Sequence, residues 1–236
     1  VDDDLHWMQY ALSLADNAEQ SGEIPVGAVI VSQDKIIGSG YNAPIQLSDP
    51  TAHAEIQALR SACRAIENYR LPDDAVLYVT LEPCAHYGKT PPCADLLVTH
   101  AFKRVVIGTK DPFAKVNGAG IARLKEAGIE VETGVLEKEC KELNKRFFTF
   151  HEKKRPYIVL KWAESRDGFM DPGEKDAREI VWITGAQTKV FVHKQRAQES
   201  AIMTGWKTIA QDNPSLTVRE IKGVSPLRVV IDPKLN

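Results

Sequence analysis

Two stretches of this chain, Val76-Leu77-Tyr78-Val79-Thr80-Leu81 and Arg104-Val105-Val106-Ile107-Gly108, run apolar with no polar alternation. A strand with one wet face alternates. One without alternation is buried on both faces, so its sheet needs a layer packed on each side. The flanking pattern supplies those layers. Leu5, Met8, Leu12 and Ala15 recur at spacings of three and four, so residues 4–20 read as an amphipathic helix that ends at Ser21-Gly22-Glu23. Residues 26–31 and 35–40 read as two strands joined by the short turn Ser32-Gln33-Asp34. Helices are expected at 53–66 (Ile56, Leu59, Ala62 and Ile66 on one face), 93–100, 120–127 and 135–148, with a short strand at 129–131. Two opening strands followed by strand–helix alternation predict a mixed α/β sheet with helices on both faces.

On that scaffold the chemistry-bearing residues fall at element ends. His53 opens one helix, Cys84 follows a central strand, and Cys93 opens the next helix. Two helix N-termini then point at one spot, and their partial positive charge favours thiolates there. One imidazole and two thiolates are a ligand set for a catalytic zinc whose fourth position stays open to water. Glu55, two places after His53, is placed to take the proton of that water and hand it to a leaving amine. Eight residues separate the cysteines, where the usual signature has two. A structural zinc has four protein ligands, and His86 is the residue that could supply the fourth.

Other candidates have plainer readings. His6, His100, His151 and His193 read as surface or satisfied core residues. Cys63 and Cys140 fall on apolar helix faces and read as small buried hydrophobes. Phe147, Phe148 and Phe150 read as core, and Lys153-Lys154-Arg155 as a solvated linker. Asn42, at the end of a strand, is equally a turn residue or a base contact.

At 236 residues the chain suits one and a half to two domains. Residues 1–154 carry 17 Lys/Arg against 22 Asp/Glu, a net −5, whereas residues 155–236 carry 13 against 10, a net +3. The acidic half holding the metal set is a poor match to a long polyanion. A small phosphorylated substrate needs only one or two local cations. No apolar run approaches the roughly 18 residues of a spanning helix, so no membrane partner is expected. The acidic N-terminus and four scattered cysteines point to a cytoplasmic, reducing compartment. Glu152-Lys153-Lys154-Arg155-Pro156 is a charged, proline-ended boundary dividing the chain into domains 1–152 and 156–236. Beyond it, a strand at 157–162, a helix at 185–197 and strands at 200–203 and 227–231 open a second α/β domain. That domain spans only about 80 residues, short of the roughly 100–150 of a typical one. An incomplete domain exposes apolar surface, so a homo-oligomer is expected.

His53-Ala54-Glu55 together with Thr80-Leu81-Glu82-Pro83-Cys84 resembles the cytidine/deoxycytidylate deaminase-like superfamily. The resemblance implies a three-layer α/β/α domain with a mixed central sheet. From about Thr80 onward the chain is similar to the bifunctional riboflavin-biosynthesis deaminase/reductase. The match lies in Cys84-Ala-His-Tyr-Gly-Lys-Thr-Pro-Pro-Cys93, Gly118-Ala-Gly-Ile-Ala-Arg-Leu124 and Asp212-Asn-Pro-Ser-Leu-Thr-Val-Arg219. From residue 7 to about 79 it instead resembles the bacterial tRNA-adenosine deaminase, through Ile24-Pro-Val-Gly-Ala-Val29, Asp49-Pro-Thr-Ala-His-Ala-Glu55 and Asn68-Tyr-Arg-Leu71. The riboflavin family has an Asn-Pro pair before the first strand, its Asn holding the pyrimidine; Glu23-Ile24-Pro25 stands here.

The riboflavin resemblance implies zinc-dependent hydrolytic deamination of a diaminopyrimidine ribosyl phosphate. Glu55 would be catalytic and His53, Cys84 and Cys93 would hold zinc. Asn42 sits where the tRNA enzyme's base-binding Asn sits, and Lys89, with His86 a weaker candidate, would meet the phosphate. In the second domain the resemblance implies NADPH at Ala163, Trp182, Thr208 and Asp212. Substrate contacts would come from Arg196, Leu216 and Arg219, with Ile180 standing where a substrate-side Ser is expected. The family's later Gly-rich cofactor loop is not found through Asn236, so the reductase-like domain is expected to be partial and inactive in reduction. The competing readings are a tRNA-adenosine deaminase, a non-catalytic zinc-folded binding module, and a chain assembled from two parents.

Overall fold

The computed structural model describes residues 2–88, 90–100, 102–170 and 182–234. The chain divides into two compact units, Val1–Ile158 and Val159–Asn236. The first contains α1 (Asp2–Gln20), β1 (Gly27–Ser32), β2 (Lys35–Tyr41), α2 (Ala54–Ala65), β3 (Val76–Leu81), α3 (Cys93–Thr99), β4 (Arg104–Thr109), α4 (Ala119–Glu126), β5 (Glu130–Thr133), α5 (Glu137–Leu143) and α6 (Lys145–Lys153). Its sheet has the order β2-β1-β3-β4-β5, with β1 antiparallel to β2 and β3, and β3, β4 and β5 mutually parallel.

The apolar runs behave as their lack of alternation predicts. Ala28, Ile30, Leu77, Val79, Val105 and Ile107 face one core, shared with Ala58 and Leu59 of α2, Leu97 of α3 and Leu124 of α4. The intervening Val29, Val31, Tyr78 and Val106 face a second core with Met8, Ala11 and Leu12 of α1 and Cys140 of α5. Each strand therefore feeds both faces, and the unit is a three-layer α/β/α sandwich. α2 lies unusually close to β2. A Cβ on Gly38 would sit 2.4 Å from the Ala58 carbonyl, and one on Gly40 2.4 Å from Gln57 Cβ. Only glycine at both positions lets the helix that carries Glu55 rest on the strand backbone.

Several sequence expectations fail for tertiary reasons. Leu5 is 42 % exposed, so the buried stripe of α1 starts at Met8. The long helix expected at 135–148 is two helices, broken at Asn144, whose buried side chain donates to the Pro25 carbonyl at 2.9 Å. Phe148 is buried, but Phe150 faces solvent on α6.

The second unit contains α7 (Ala186–Gln198), β6 (Ala201–Gly205), α8 (Trp206–Asp212) and β7 (Leu227–Ile231). β6 and β7 pair in parallel as a two-stranded sheet. The strand expected at 157–162 does not form. No ladder partner is present for it among the described residues, and Ile158, Leu160 and Trp162 are exposed. No described helix is long and apolar enough to cross a membrane.

Candidate metal centre

Three backbone exits converge above the sheet. His53 is the N-cap residue of α2, Cys84 lies three residues past β3, and Cys93 is the first residue of α3. Cys93 Sγ lies 3.3 Å and Cys84 Sγ 4.0 Å from His53 Nδ1, and the three donor atoms all lie within 4.8 Å of one another. Tetrahedral zinc with ordinary Zn–S and Zn–N bonds sets its ligand atoms about 3.6–3.8 Å apart. The observed separations bracket that edge length, so this donor set fits zinc. Among the described residues no fourth His, Cys, Asp or Glu joins the three. His86 packs instead edge-on against Phe113, ring centroids 5.6 Å apart, with its Nδ1 buried and without a hydrogen-bond partner. Three protein donors are the complement of a catalytic rather than a structural zinc.

The electrostatics favour a thiolate at Cys84 and keep Cys93 protonated as its donor. The Cys93 thiol and backbone N–H both point at the Cys84 sulfur, the latter at 3.2 Å, and with His53 they hold the Cys84 thiol down at about 4. Cys93 is pushed up because it donates to that thiolate and is itself buried. The hydrogen bond to Cys84 raises His53 above its ordinary value. Glu55, in the first turn of α2, is 5 % exposed; burial, then the Cys84 charge, pushes its carboxyl up to about 7. A carboxyl poised near neutrality can both accept and return a proton.

Asn42 makes one hydrogen bond at each end of its amide. Its Oδ1 accepts the Ala54 N–H at 2.9 Å, and its Nδ2 donates to the Ile24 carbonyl at 3.1 Å. His53 supplies no side-chain cap to α2, so Asn42 caps that helix from the far end of β2. Each polar atom of an amide has capacity for a second hydrogen bond. Glu23 begins the Glu23-Ile24-Pro25 stretch that stands in place of the riboflavin pattern's Asn-Pro pair. It is buried, and one carboxylate oxygen accepts both Ile45 N–H and Gln46 N–H at 2.8 Å. Lys89 lies outside the described residues, as does Ile180.

Sequence reasoning missed Glu82. This buried carboxylate accepts the backbone N–H groups of Asp111, Gly118, Gly120 and Ile121 at 2.9–3.2 Å. Its sequence signals were its place in Thr80-Leu81-Glu82-Pro83-Cys84 and a charge ending an apolar strand, but its partners at 111–121 lie too far along the chain to be read from either.

In the second unit, Arg196 on α7 donates to the Thr217 carbonyl at 2.8 Å while its Nε is buried and unpartnered. Arg219 donates to Ser215 Oγ at 2.9 Å, and its backbone N–H donates to Nδ1 of the buried His193 at 3.1 Å. Leu216, between them, has φ 53°. The structure thus gathers Arg196, Leu216 and Arg219 on one loop-and-helix face, and makes His193 the satisfied core residue expected. Thr208 and Asp212 sit one turn apart on α8, a helix not foreseen. Trp182 is exposed, with Lys189 Nζ 4.9 Å above its ring. Ala163 is half-buried in an irregular segment.

An imidazole, two thiols and a buried carboxyl at two helix starts over a mixed sheet define a zinc-deaminase type of site. Residues 1–109 match the model for the cytidine and deoxycytidylate deaminase zinc-binding region, and residues 156–236 match the RibD C-terminal domain. The riboflavin biosynthesis protein RibD of Aquifex aeolicus is 40 % identical over 236 residues, covering 99 % of this chain and 63 % of the relative. A diaminohydroxyphosphoribosylaminopyrimidine deaminase/5-amino-6-(5-phosphoribosylamino)uracil reductase from Thermotoga maritima is 40 % identical with a TM-score of 0.84; the match covers 99 % of this chain and 64 % of that one. A tRNA:A34 deaminase structure matches 58 % of this chain and 98 % of its own at 35 % identity and a TM-score of 0.51. The chain thus carries a cytidine and deoxycytidylate deaminase zinc-binding region followed by a RibD C-terminal domain, and is similar to RibD proteins along nearly its whole length. The RibD likeness runs through the N-terminal third as well, which the sequence alone had read as closer to the tRNA enzyme. The chain spans about 60 % of the length of the curated relatives it matches.

Proposed function

We propose that this chain hydrolytically deaminates a diaminopyrimidine ribosyl phosphate, a step of riboflavin biosynthesis. The observation that carries the reading is the meeting of His53, Cys84 and Cys93 beside the buried Glu55. His53, Cys84 and Cys93 would hold zinc. When bound, zinc lowers the pKa of water toward neutrality and so provides a nucleophile for the ring carbon bearing the exocyclic amine. Glu55, raised by burial, accepts the proton released in that attack and returns it to the departing nitrogen, so ammonia leaves rather than amide ion. Asn42 offers its remaining donor and acceptor to the base. Lys89 and His86, on the intercysteine loop, are assigned to the phosphate.

In this reading residues 1–152 form the deaminase domain and 156–236 a partial NADPH-reductase-like domain. Ala163, Trp182, Thr208 and Asp212 would face NADPH, and Arg196, Leu216 and Arg219 the ribosyl phosphate. The unpartnered Nε of Arg196 is a donor suited to that anion. A cytoplasmic, homo-oligomeric enzyme completes the reading. The test is ammonia release from the diaminopyrimidine phosphate by zinc-loaded protein, with inosine formation in tRNA measured in parallel. Ammonia without inosine is expected. Inosine alone would transfer the site to the tRNA reaction, and neither product, with zinc bound, would leave a non-catalytic module.

A further inference from the structure

We propose that Glu82 is a positioning residue for the two thiolates, acting through α4. This rests on the reading of His53, Cys84 and Cys93 as zinc ligands. Glu82 follows β3 directly, and its own N–H continues the β3–β4 ladder by donating to the Thr109 carbonyl at 2.9 Å. Its side chain, 3 % exposed, meets four backbone donors. Two of them, Gly120 and Ile121, are the second and third residues of α4, where an N-cap side chain normally bonds. The N-cap itself is Gly118, at φ 91°, with no side chain to offer. Glu82 is therefore the cap of α4, delivered from a neighbouring strand. Its other oxygen closes the preceding loop through Asp111 and Gly118.

α4 in turn grips the metal loops on both sides. A Cβ at Gly120 would lie 2.2 Å from the Pro83 carbonyl, so the helix start presses on the backbone immediately ahead of Cys84. One turn on, Arg123 donates to the Ala85 carbonyl at 3.5 Å, immediately after Cys84, and to Asp95 at 2.6 Å, two residues past Cys93. A carboxylate that fixes α4 thereby fixes where both sulfurs stand. Partners one step removed from the metal typically tune affinity about 10–100-fold.

The test uses the full chain with E82Q and E82D. Gln offers one acceptor and turns an N–H₂ toward backbone donors; Asp keeps the charge but falls short by a methylene. Zinc affinity is read by chelator competition, the thiolate-to-metal absorption bands by cobalt substitution, and the metal-free fold by circular dichroism. D4N, at an ion pair on the opposite side of the sheet from α4, controls for lost stability. The expected result is zinc binding about tenfold weaker in E82Q with a shifted cobalt spectrum, a native metal-free fold, and unchanged affinity in D4N. Affinity within fivefold of the unsubstituted protein in either folded Glu82 variant overturns the proposal. So does failure of both variants to fold, which would make Glu82 a determinant of the whole fold. If the unsubstituted protein binds no zinc, the metal reading fails first and takes this one with it.

Discussion

Replacing Asn42 by Ala tests how the metal turn is held. The substitution removes the acceptor of the Ala54 N–H and the donor to the Ile24 carbonyl. α2 has no other side-chain cap at this end. Losing an N-cap costs about 0.5–2 kcal/mol, and the stranded carbonyl adds a smaller loss, so the total is about 1–2 kcal/mol. In a unit of this size each kcal/mol lowers the melting temperature by roughly 2–4 °C. N42A should therefore melt about 2–8 °C lower with zinc chelated, where capping is measured apart from metal binding. N42D retains the acceptor and should fall between N42A and the unsubstituted protein. Differential scanning calorimetry followed by near-ultraviolet circular dichroism reads both. A melting point of N42A within 1 °C of the unsubstituted protein would refute the capping argument, as would N42D melting no higher than N42A.

Other outcomes follow from the same geometry. E55Q should keep one zinc per chain yet release ammonia about 10²–10⁴-fold more slowly, and zinc lost along with activity would sink the proton-transfer role. Gly40→Ala places a Cβ 2.4 Å from Gln57 Cβ and 2.5 Å from the Ala58 nitrogen. Overpacking of this kind costs about 1–3 kcal/mol, so an unchanged denaturation midpoint would contradict the close seating of α2. Hydrogen bonds from Arg104 hold the Asp4 carboxyl below its ordinary value. Ionised Asp4 therefore contributes stability that is present above about pH 4 and lost as pH falls through its lowered folded value. The stability difference between the unsubstituted protein and D4N should shrink below that pH; a difference constant from neutrality to strong acid would be the wrong result. Chelation should lower the melting temperature of the unsubstituted protein, and a melt indifferent to zinc would count against metal binding in the native state.

β3 was legible to the residue because burial on both faces leaves a run without polar alternation, its one hydroxyl, Thr80, being taken by the Gly27 N–H. The meeting of His53, Cys84 and Cys93 was legible because each lies at the end of a strongly patterned element. What escaped notice was fixed by distant partners. Asn144 breaks a pattern that is helical through 148 because a carbonyl 119 residues away takes its amide. The run at 157–162 has strand composition but pairs with no strand among the described residues. Glu82 and Asn42 serve helices that start elsewhere in the chain, so neither sits beside the segment it caps. α8 is only seven residues long, with its stop signal in the left-handed Asn213.

The eight residues between the cysteines leave from Cys84 and return at Cys93, and their base is clasped: Cys93 N–H donates to the Cys84 sulfur and Ala94 N–H to the Cys84 carbonyl. The ends are anchored by a strand exit and a helix start, and Arg123 holds the Ala85 carbonyl just inside the loop. Such a clasp sets the spacing of Cys84 and Cys93 at the base of the loop, so the two sulfurs are held together by backbone rather than by the loop's tip.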